Sequence, residues 1–305
     1  MTFVATLLVP LDGPPLTGGI LDQASRALEM SGAQLGEPDW LCRERACDLY
    51  FDSSETAEAG VALSKVVASQ PVDLCVQPVT KRRKRLLVAD MESTIIGQEM
   101  LEEMAEAFEL RERMAEITAQ SMRGEIDFAG SLRERAAMLK DLPTAVMEQV
   151  AQRMTFNPGA RTLVATMRDA GAVTALVTGG FTLFADMVAA AAGFHLQRAN
   201  HLTERGGRLV GEVTEPILGP EAKQEALLEI AAAERIDLSE TCAVGDGAND
   251  VPMLRAAGLG VAYRGKPLLR DAADAFVDHS DLTALLYFQG YRADEFVTPT
   301  ADVER

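Results

Sequence analysis

Apolar residues follow two different rhythms along this 305-residue chain. Over residues 1–80 short apolar runs alternate with stretches of helical spacing: "FVATLLVP", "GILDQASRALEMSG", "ACDLYFD", "ETAEAGVALSKVVAS" and "VDLCVQPV". Read as strand, helix, strand, helix, strand, this predicts a small α+β sandwich. A further strand is expected between residues 33 and 43, on a weak signal. The basic run "KRRKR", 81–85, marks a boundary and reads as a solvated linker into the next strand. Residues 96–155 carry helical spacing alone. "GQEMLEEMAEAF" places Met100, Leu101, Met104 and Phe108 on one face, and three similar segments follow. Strand signals are absent there, so the stretch is a helical insert whose Met-rich stripes are core. From residue 156 strands and helices alternate again. "ANHLTERGGRLVGEVTEP" reads as a hairpin with a "RGGR" turn. Residues 86–90, 174–177 and 241–245 are continuous apolar runs, the form taken by strands buried on both faces of a parallel sheet. The closing "TPTADVER" reads as a loose tail.

Composition changes this picture little. A chain with 48% apolar and 25% charged residues is an ordinary globular one. The net charge of −17 argues against a nucleic-acid surface, which needs a basic face. It also means that any phosphate-binding role must recruit a cation. Cysteines at 42, 47, 75 and 242 form no C-x-x-C pair or disulfide framework, so a reducing cytoplasm is expected. No apolar run approaches the roughly 20 residues that span a bilayer, and the N-terminus lacks the basic start of a signal peptide.

The candidate chemistry sits where the buried strands end. One ends "VADMEST", a second "LVTGG", a third "AVGDGAND". In open parallel α/β sheets ligands bind beyond the carboxyl ends of the strands, so Asp90, Glu92, Thr178, Asp246 and Asp250 converge at one edge. Lys223 joins them from the loop that enters an intervening helix. Carboxylates this close raise each other's pKa unless a cation sits among them, and an oxygen-only donor set selects Mg²⁺ over Zn²⁺. Thr178 and Lys223 supply a hydroxyl and a fixed positive charge suited to a phosphoryl group. No G-x-x-x-x-G-K-[ST] loop is present. What remains is a carboxylate nucleophile, Asp90, with a second acid, Glu92, to protonate the leaving oxygen and then activate water. Gly97, Gly179, Gly180 and Gly247 let backbone amides approach phosphate closely.

With "DMEST", Thr178 in "VTGG", Lys223 in "EAKQEALLEIA" and "GDGAND" in this order, residues 81–292 resemble the haloacid dehalogenase superfamily of phosphatases. "GQEMLEEMAE", "MRGEIDFAGSLRERAAMLKDLP" and "GDGANDVPML" resemble its phosphoserine phosphatases more closely. The resemblance implies a Rossmann-like α/β core of parallel strands over 81–95 and 156–292. It implies a helical-bundle cap over 96–155, a tail over 293–305, and an ACT-like, ferredoxin-like α+β domain over 1–80. It implies Mg²⁺ held by Asp90, the Glu92 backbone carbonyl, Asp246 and Asp250, and a small-molecule substrate, O-phospho-L-serine. Glu99 would pair with the substrate ammonium and Arg135 with its carboxylate. Met122 and Phe128 would help shut the site, and Asn249, Thr178, Gly179, Gly180 and Lys223 would contact the bound molecule. ACT-like domains often associate, so the analogy suggests a homodimer.

One departure from the resemblance is Glu92, where the superfamily has Asp. The extra methylene adds about 1.5 Å of reach, and a misplacement near 1 Å can cost on the order of 10²-fold in rate. Three readings are open: a phosphatase on phosphoserine, a phosphatase or phosphotransferase on another small phosphate ester, and an amino-acid-sensing protein with a weakened core.

Overall fold

In the computed structural model, which describes residues 1–122 and 125–299 except for the side chains of Thr118, Ser121 and Met122, an eleven-stranded sheet runs through the molecule. The chain opens with β1 (Phe3–Leu8), α1 (Gly18–Met30), β2 (Gln34–Leu35), β3 (Asp39–Cys42), β4 (Ala46–Asp52), α2 (Thr56–Val67) and β5 (Asp73–Pro78). β1 pairs antiparallel with β4 and with β5, and both β2 and β3 pair with β4. The resulting order β3–β4–β1–β5 is that of a split βαβ unit. The weak strand signal at 33–43 corresponds to two short strands.

Side chains alternate across this unit with period two. Ala5, Leu7, Leu49 and Phe51 join Leu21, Leu28 and Leu63 of the two helices in one core. Leu8, Ala46 and Cys75 point the other way and join the core of the remaining chain. A small sandwich on its own would leave that second face in water; here it is covered.

The basic run at 81–85 helps cover it: Lys81, Arg83 and Arg85 are exposed, as a solvated linker would have them, but the two residues between them are not. Arg82 and Lys84 are buried. The Arg82 guanidinium donates to both Asp48 oxygens at 2.6 and 2.8 Å, to Thr6 Oγ1 at 2.8 Å, and to the carbonyls of Phe288 and Tyr287 at 2.7 and 3.1 Å. Lys84 Nζ donates to the carbonyls of Ser239 and Gly258. Both cations therefore satisfy groups that burial would otherwise leave unpaired.

Next come β6 (Leu86–Ala89), α3 (Met100–Ala107), α4 (Arg111–Met122), α5 (Phe128–Ala137) and α6 (Ala145–Ala151). After them lie α7 (Ala160–Asp169), β7 (Val173–Phe181), α8 (Thr182–Ala192), β8 (Leu196–Asn200), β9 (Leu202–Arg205), β10 (Arg208–Val213) and α9 (Pro220–Ala233). The chain closes with β11 (Thr241–Gly245), α10 (Val251–Ala256), β12 (Leu259–Tyr263), β13 (Ala275–Val277) and α11 (Ala284–Phe288). Strands β13–β12–β11–β6–β7–β8 are parallel throughout. Leu86, Val88, Ala175, Val177 and Ala243 pack on one face, and Leu87, Ala89, Leu176, Cys242 and Val244 on the other. β5 pairs antiparallel with β13 at Cys75 and Ala275, so the two halves share one sheet.

The hairpin β9–β10 turns on Gly206 and Gly207, both at positive φ, the backbone a two-residue turn of this kind requires. It leans on the helical insert: the N–H groups of Asp141 and Thr144 donate to the carbonyls of Leu209 and Gly207. The chain is anchored up to the residues just before "TPTADVER". Phe296 packs on Tyr287 at 4.9 Å, and Val297 N–H donates to Thr166 Oγ1. Residues 300–305 lie outside the described residues.

Candidate active site

Three adjacent strands, β11, β6 and β7, end on one edge, and the loops beyond them meet there. The Asp90 N–H still donates to Val244 O, so the ladder holds Asp90 one residue past β6. The chain then turns back, with Ile96 N–H donating to Met91 O and Ser93 at φ 55°. A left-handed non-glycine residue costs on the order of 1 kcal/mol. Ser93 is held there by its hydroxyl, which donates to Glu99 Oε1 at 2.7 Å. β7 runs on to Phe181, so Thr178 lies within the strand and not at its tip; the pairing with β8 shifts register between Val177 and Phe181. Such irregularities re-aim side chains beside functional sites. Lys223 stands in the first turn of α9, and not in the loop before it.

Lys223 and the acids form a tight buried cluster. Its Nζ lies 2.6 Å from Asp90 Oδ1 and 2.7 Å from Asp250 Oδ1. Met91 N–H also donates to Asp90 Oδ1, at 2.8 Å. Asp250 Oδ2 accepts the N–H groups of Asp246 and Gly247, so both oxygens of Asp250 are engaged by protein. This loop closure explains the glycine before Asp246: a Cβ on Gly245 would lie 2.3 Å from Asp250 Cγ. Burial and the neighbouring Asp250 charge hold the Asp90 carboxyl well above its ordinary pKa, against the opposing pull of Lys223. Burial also raises Asp246, opposed by Lys266. For Lys223 burial alone would lower the pKa, but Asp90 and Asp250 outweigh it and keep the ammonium charged.

Oxygens of Asp90, Asp246 and Asp250 lie within 4.8 Å of one another. An all-oxygen set of buried and half-buried carboxylates is what a hard divalent cation would stabilise. The Glu92 side chain is outside this set. Its Oε1 accepts the Met100 N–H at 2.7 Å. Its Oε2 lies 3.0 Å from where a Cβ on Gly180 would stand, a point 3.2 Å from Thr178 Oγ1. Burial, then the Glu99 charge, pushes the Glu92 carboxyl up to about 7. That value suits a group that must give and take a proton near neutrality.

These loops and the helical insert enclose a cavity of about 680 Å³. Asp90, Glu92, Glu99, Phe128, Arg135, Thr178, Gly179, Gly180, Asp246 and Asn249 all line it. Lys223 and Asp250 sit behind its wall, reaching it through Asp90. The Met122 side chain lies outside the described residues. Phe128 comes down from α5 onto the strand end: its Cζ lies 3.2 Å from where a Cβ on Gly179 would stand. Burial lowers the Arg135 pKa, opposed by Glu92, Glu99 and Glu102. Sequence reasoning missed Lys266 and Arg111, which also line the cavity. Lys266 lies past β12, a fourth strand end on the same edge, and its Nζ is 3.8 Å from Asp246 Oδ2. Its place just beyond a fourth apolar run is the signal that could have found it.

Known proteins resemble this chain in sequence and in fold. Residues 87–255 match the family of haloacid dehalogenase-like hydrolases. A phosphoserine phosphatase of Streptomyces coelicolor is 37% identical over 292 residues, 94% of this chain and 71% of that protein. A probable phosphoserine phosphatase from Vibrio cholerae superposes with a TM-score of 0.76 at 28% identity, covering 96% of this chain and 88% of that one. A family hydrolase from Salmonella enterica serovar Typhi superposes at 0.82 with 26% identity, covering 94% and 98%.

Proposed function

The chain belongs to the haloacid dehalogenase-like hydrolases, and we propose that within them it is a Mg²⁺-dependent phosphatase that cleaves O-phospho-L-serine to L-serine and phosphate. The observation that carries this reading is one cavity holding a nucleophile with its lysine on one side and an anion–cation pair, Glu99 and Arg135, contributed by the insert. A small zwitterionic phosphate ester needs all three. Relatives that share most of the chain are named as phosphoserine phosphatases, which supports the same substrate.

The Asp90 carboxylate attacks phosphorus. As its oxygen bonds to phosphorus, the bond from phosphorus to the serine oxygen breaks, and Glu92 gives that oxygen its proton. Serine leaves, and the phosphoryl group stays on Asp90. Glu92, now a carboxylate, takes a proton from a water whose oxygen attacks phosphorus; the bond to Asp90 breaks and phosphate departs. Thr178 would hold a phosphate oxygen, while Lys223, paired to Asp90 behind the cavity wall, offsets the charge gathered there and pulls Asp90 towards its ionised form against burial. Asp90, the Glu92 carbonyl and Asp246 would hold Mg²⁺, with Asp250 orienting the loop that carries Asp246. The ion would offset negative charge between the carboxylates and the phosphoryl group. Residues 96–155 close the cavity over the reacting groups, with 81–95 and 156–292 as the core.

Glu99→Gln tests the substrate. It is expected to raise KM for O-phospho-L-serine roughly 10–100-fold more, the worth of one charge-assisted contact, than for a phosphate ester without an ammonium, such as phosphoglycolate, which feels only the change at Ser93 and Glu92 common to both esters. Equal losses on both esters would count against recognition of an amino acid. The proposal extends to a homodimer through residues 1–80, by analogy with ACT-like units. It also extends to a reducing, cytoplasmic setting, which four unpaired cysteines fit.

A further inference from the structure

The Glu92 carboxylate is shared between the strand edge and the helical insert. Oε1 takes the N–H of Met100, the first residue of α3, eight positions along the chain. Oε2 lies against Gly180, 3.0 Å from where a Cβ there would stand, and Glu92, Asp90 and Thr178 share the cavity wall. A second link, Ser93 Oγ to Glu99 Oε1, closes the same loop from inside. The loop between the nucleophile and the insert is therefore pinned twice, once through the acid itself.

We propose that the first N–H of α3 positions Glu92, so that the helical insert sets the aim of the proton donor, and that this is why the longer acid stands at this position. The inference rests on the phosphatase reading above and adds to it a positioning group, the Met100 amide. Reach decides the point. Asp is shorter by one methylene, about 1.5 Å. An Asp carboxylate held over Thr178 and Gly180 would leave the Met100 N–H roughly 4 Å away, beyond hydrogen-bond range. Glu spans both. The amide also fixes which oxygen faces the substrate: with Oε1 held by a donor, Oε2 is left to carry and deliver the proton to the departing alkoxide.

The amide can be deleted by itself. Met100 is at the first helical position, where proline is well tolerated, and Glu99 before it has φ −98° and ψ 106°, which a following proline accepts. Met100→Pro removes the N–H together with the side chain, and Met100→Ala removes the side chain alone. Two substrates separate the roles: the serine alkoxide needs a proton to leave, whereas the phenolate of p-nitrophenyl phosphate does not. The readout is kcat/KM for O-phospho-L-serine relative to p-nitrophenyl phosphate, which reports the first chemical step.

Relative to Met100→Ala, Met100→Pro is expected to lower that ratio about 10-fold, a misaimed acid. Glu92→Asp, which leaves every residue of α3 in place, is expected to lower it by a similar factor. Met100→Pro placed in the Glu92→Asp background is expected to cost nothing further, since the bond is already gone. A ratio in Glu92→Asp equal to or above that of the parent would overturn the inference, as would additive losses in the double variant. A parent that releases no phosphate from O-phospho-L-serine would instead sink the phosphatase reading, and this inference with it.

Discussion

Asp90→Asn abolishes phosphate release from O-phospho-L-serine, with an expected loss of at least about 10⁴-fold in kcat, because an amide cannot accept the phosphoryl group. The protein itself survives the change. Asp90 is held well above its ordinary pKa by burial and by Asp250, so its charge is a burden on the metal-free fold. Lys223 keeps its second partner, Asp250, at 2.7 Å. The melting temperature of the metal-free variant is therefore expected to equal or exceed that of the parent. Acid-quenched parent enzyme, mixed with labelled substrate, should carry phosphate on protein, and Asp90→Asn should carry none. Turnover retained within tenfold of the parent would remove Asp90 from the mechanism.

Arg82→Met is the change with the largest expected effect on stability. It leaves the fully buried Asp48 without its cation, and strips donors from Thr6 and from the carbonyls of Tyr287 and Phe288. Breaking a buried pair from one side costs about 3–5 kcal/mol, because an uncompensated charge stays behind. Urea unfolding should show a loss of that size. Replacing Asp48 as well, in Arg82→Met with Asp48→Leu, should recover much of it, since packed apolar groups can stand in for a buried pair. Arg82 joins β1 and β4 to the end of α11, so the first 80 residues and the remainder are expected to unfold together. A well-separated early transition for the N-terminal unit in the parent protein would contradict that.

The sequence carried the site further than it carried the joins. Asp90, Thr178 and Asp246 were legible because strands buried on both faces are long apolar runs, and a sudden polar loop at the end of one stands out. Lys266 was not, because β12 ends in "AYRGK", where the arginine and the turn blur the edge. β8 was missed for a related reason: "LQRAN" is a half-exposed edge strand with no run or alternation to mark it. Arg82 was misread because five basic residues in a row look solvated. The contrary sign was Asp48, a charge in the middle of an otherwise inward-facing strand, "ACDLYFD". The unbroken "FVATLLV" likewise hinted that β1 would be covered on both faces. The bond from Met100 to Glu92 had no sequence signal, since it depends on where the insert sets down its first helix.

Metal-dependent hydrolysis is read out by phosphate release from O-phospho-L-serine, followed with Mg²⁺ and, in parallel, after its removal by EDTA. Steady turnover is expected with Mg²⁺, lost on chelation and restored by adding the ion back. No turnover under either condition, or turnover indifferent to EDTA, would contradict it.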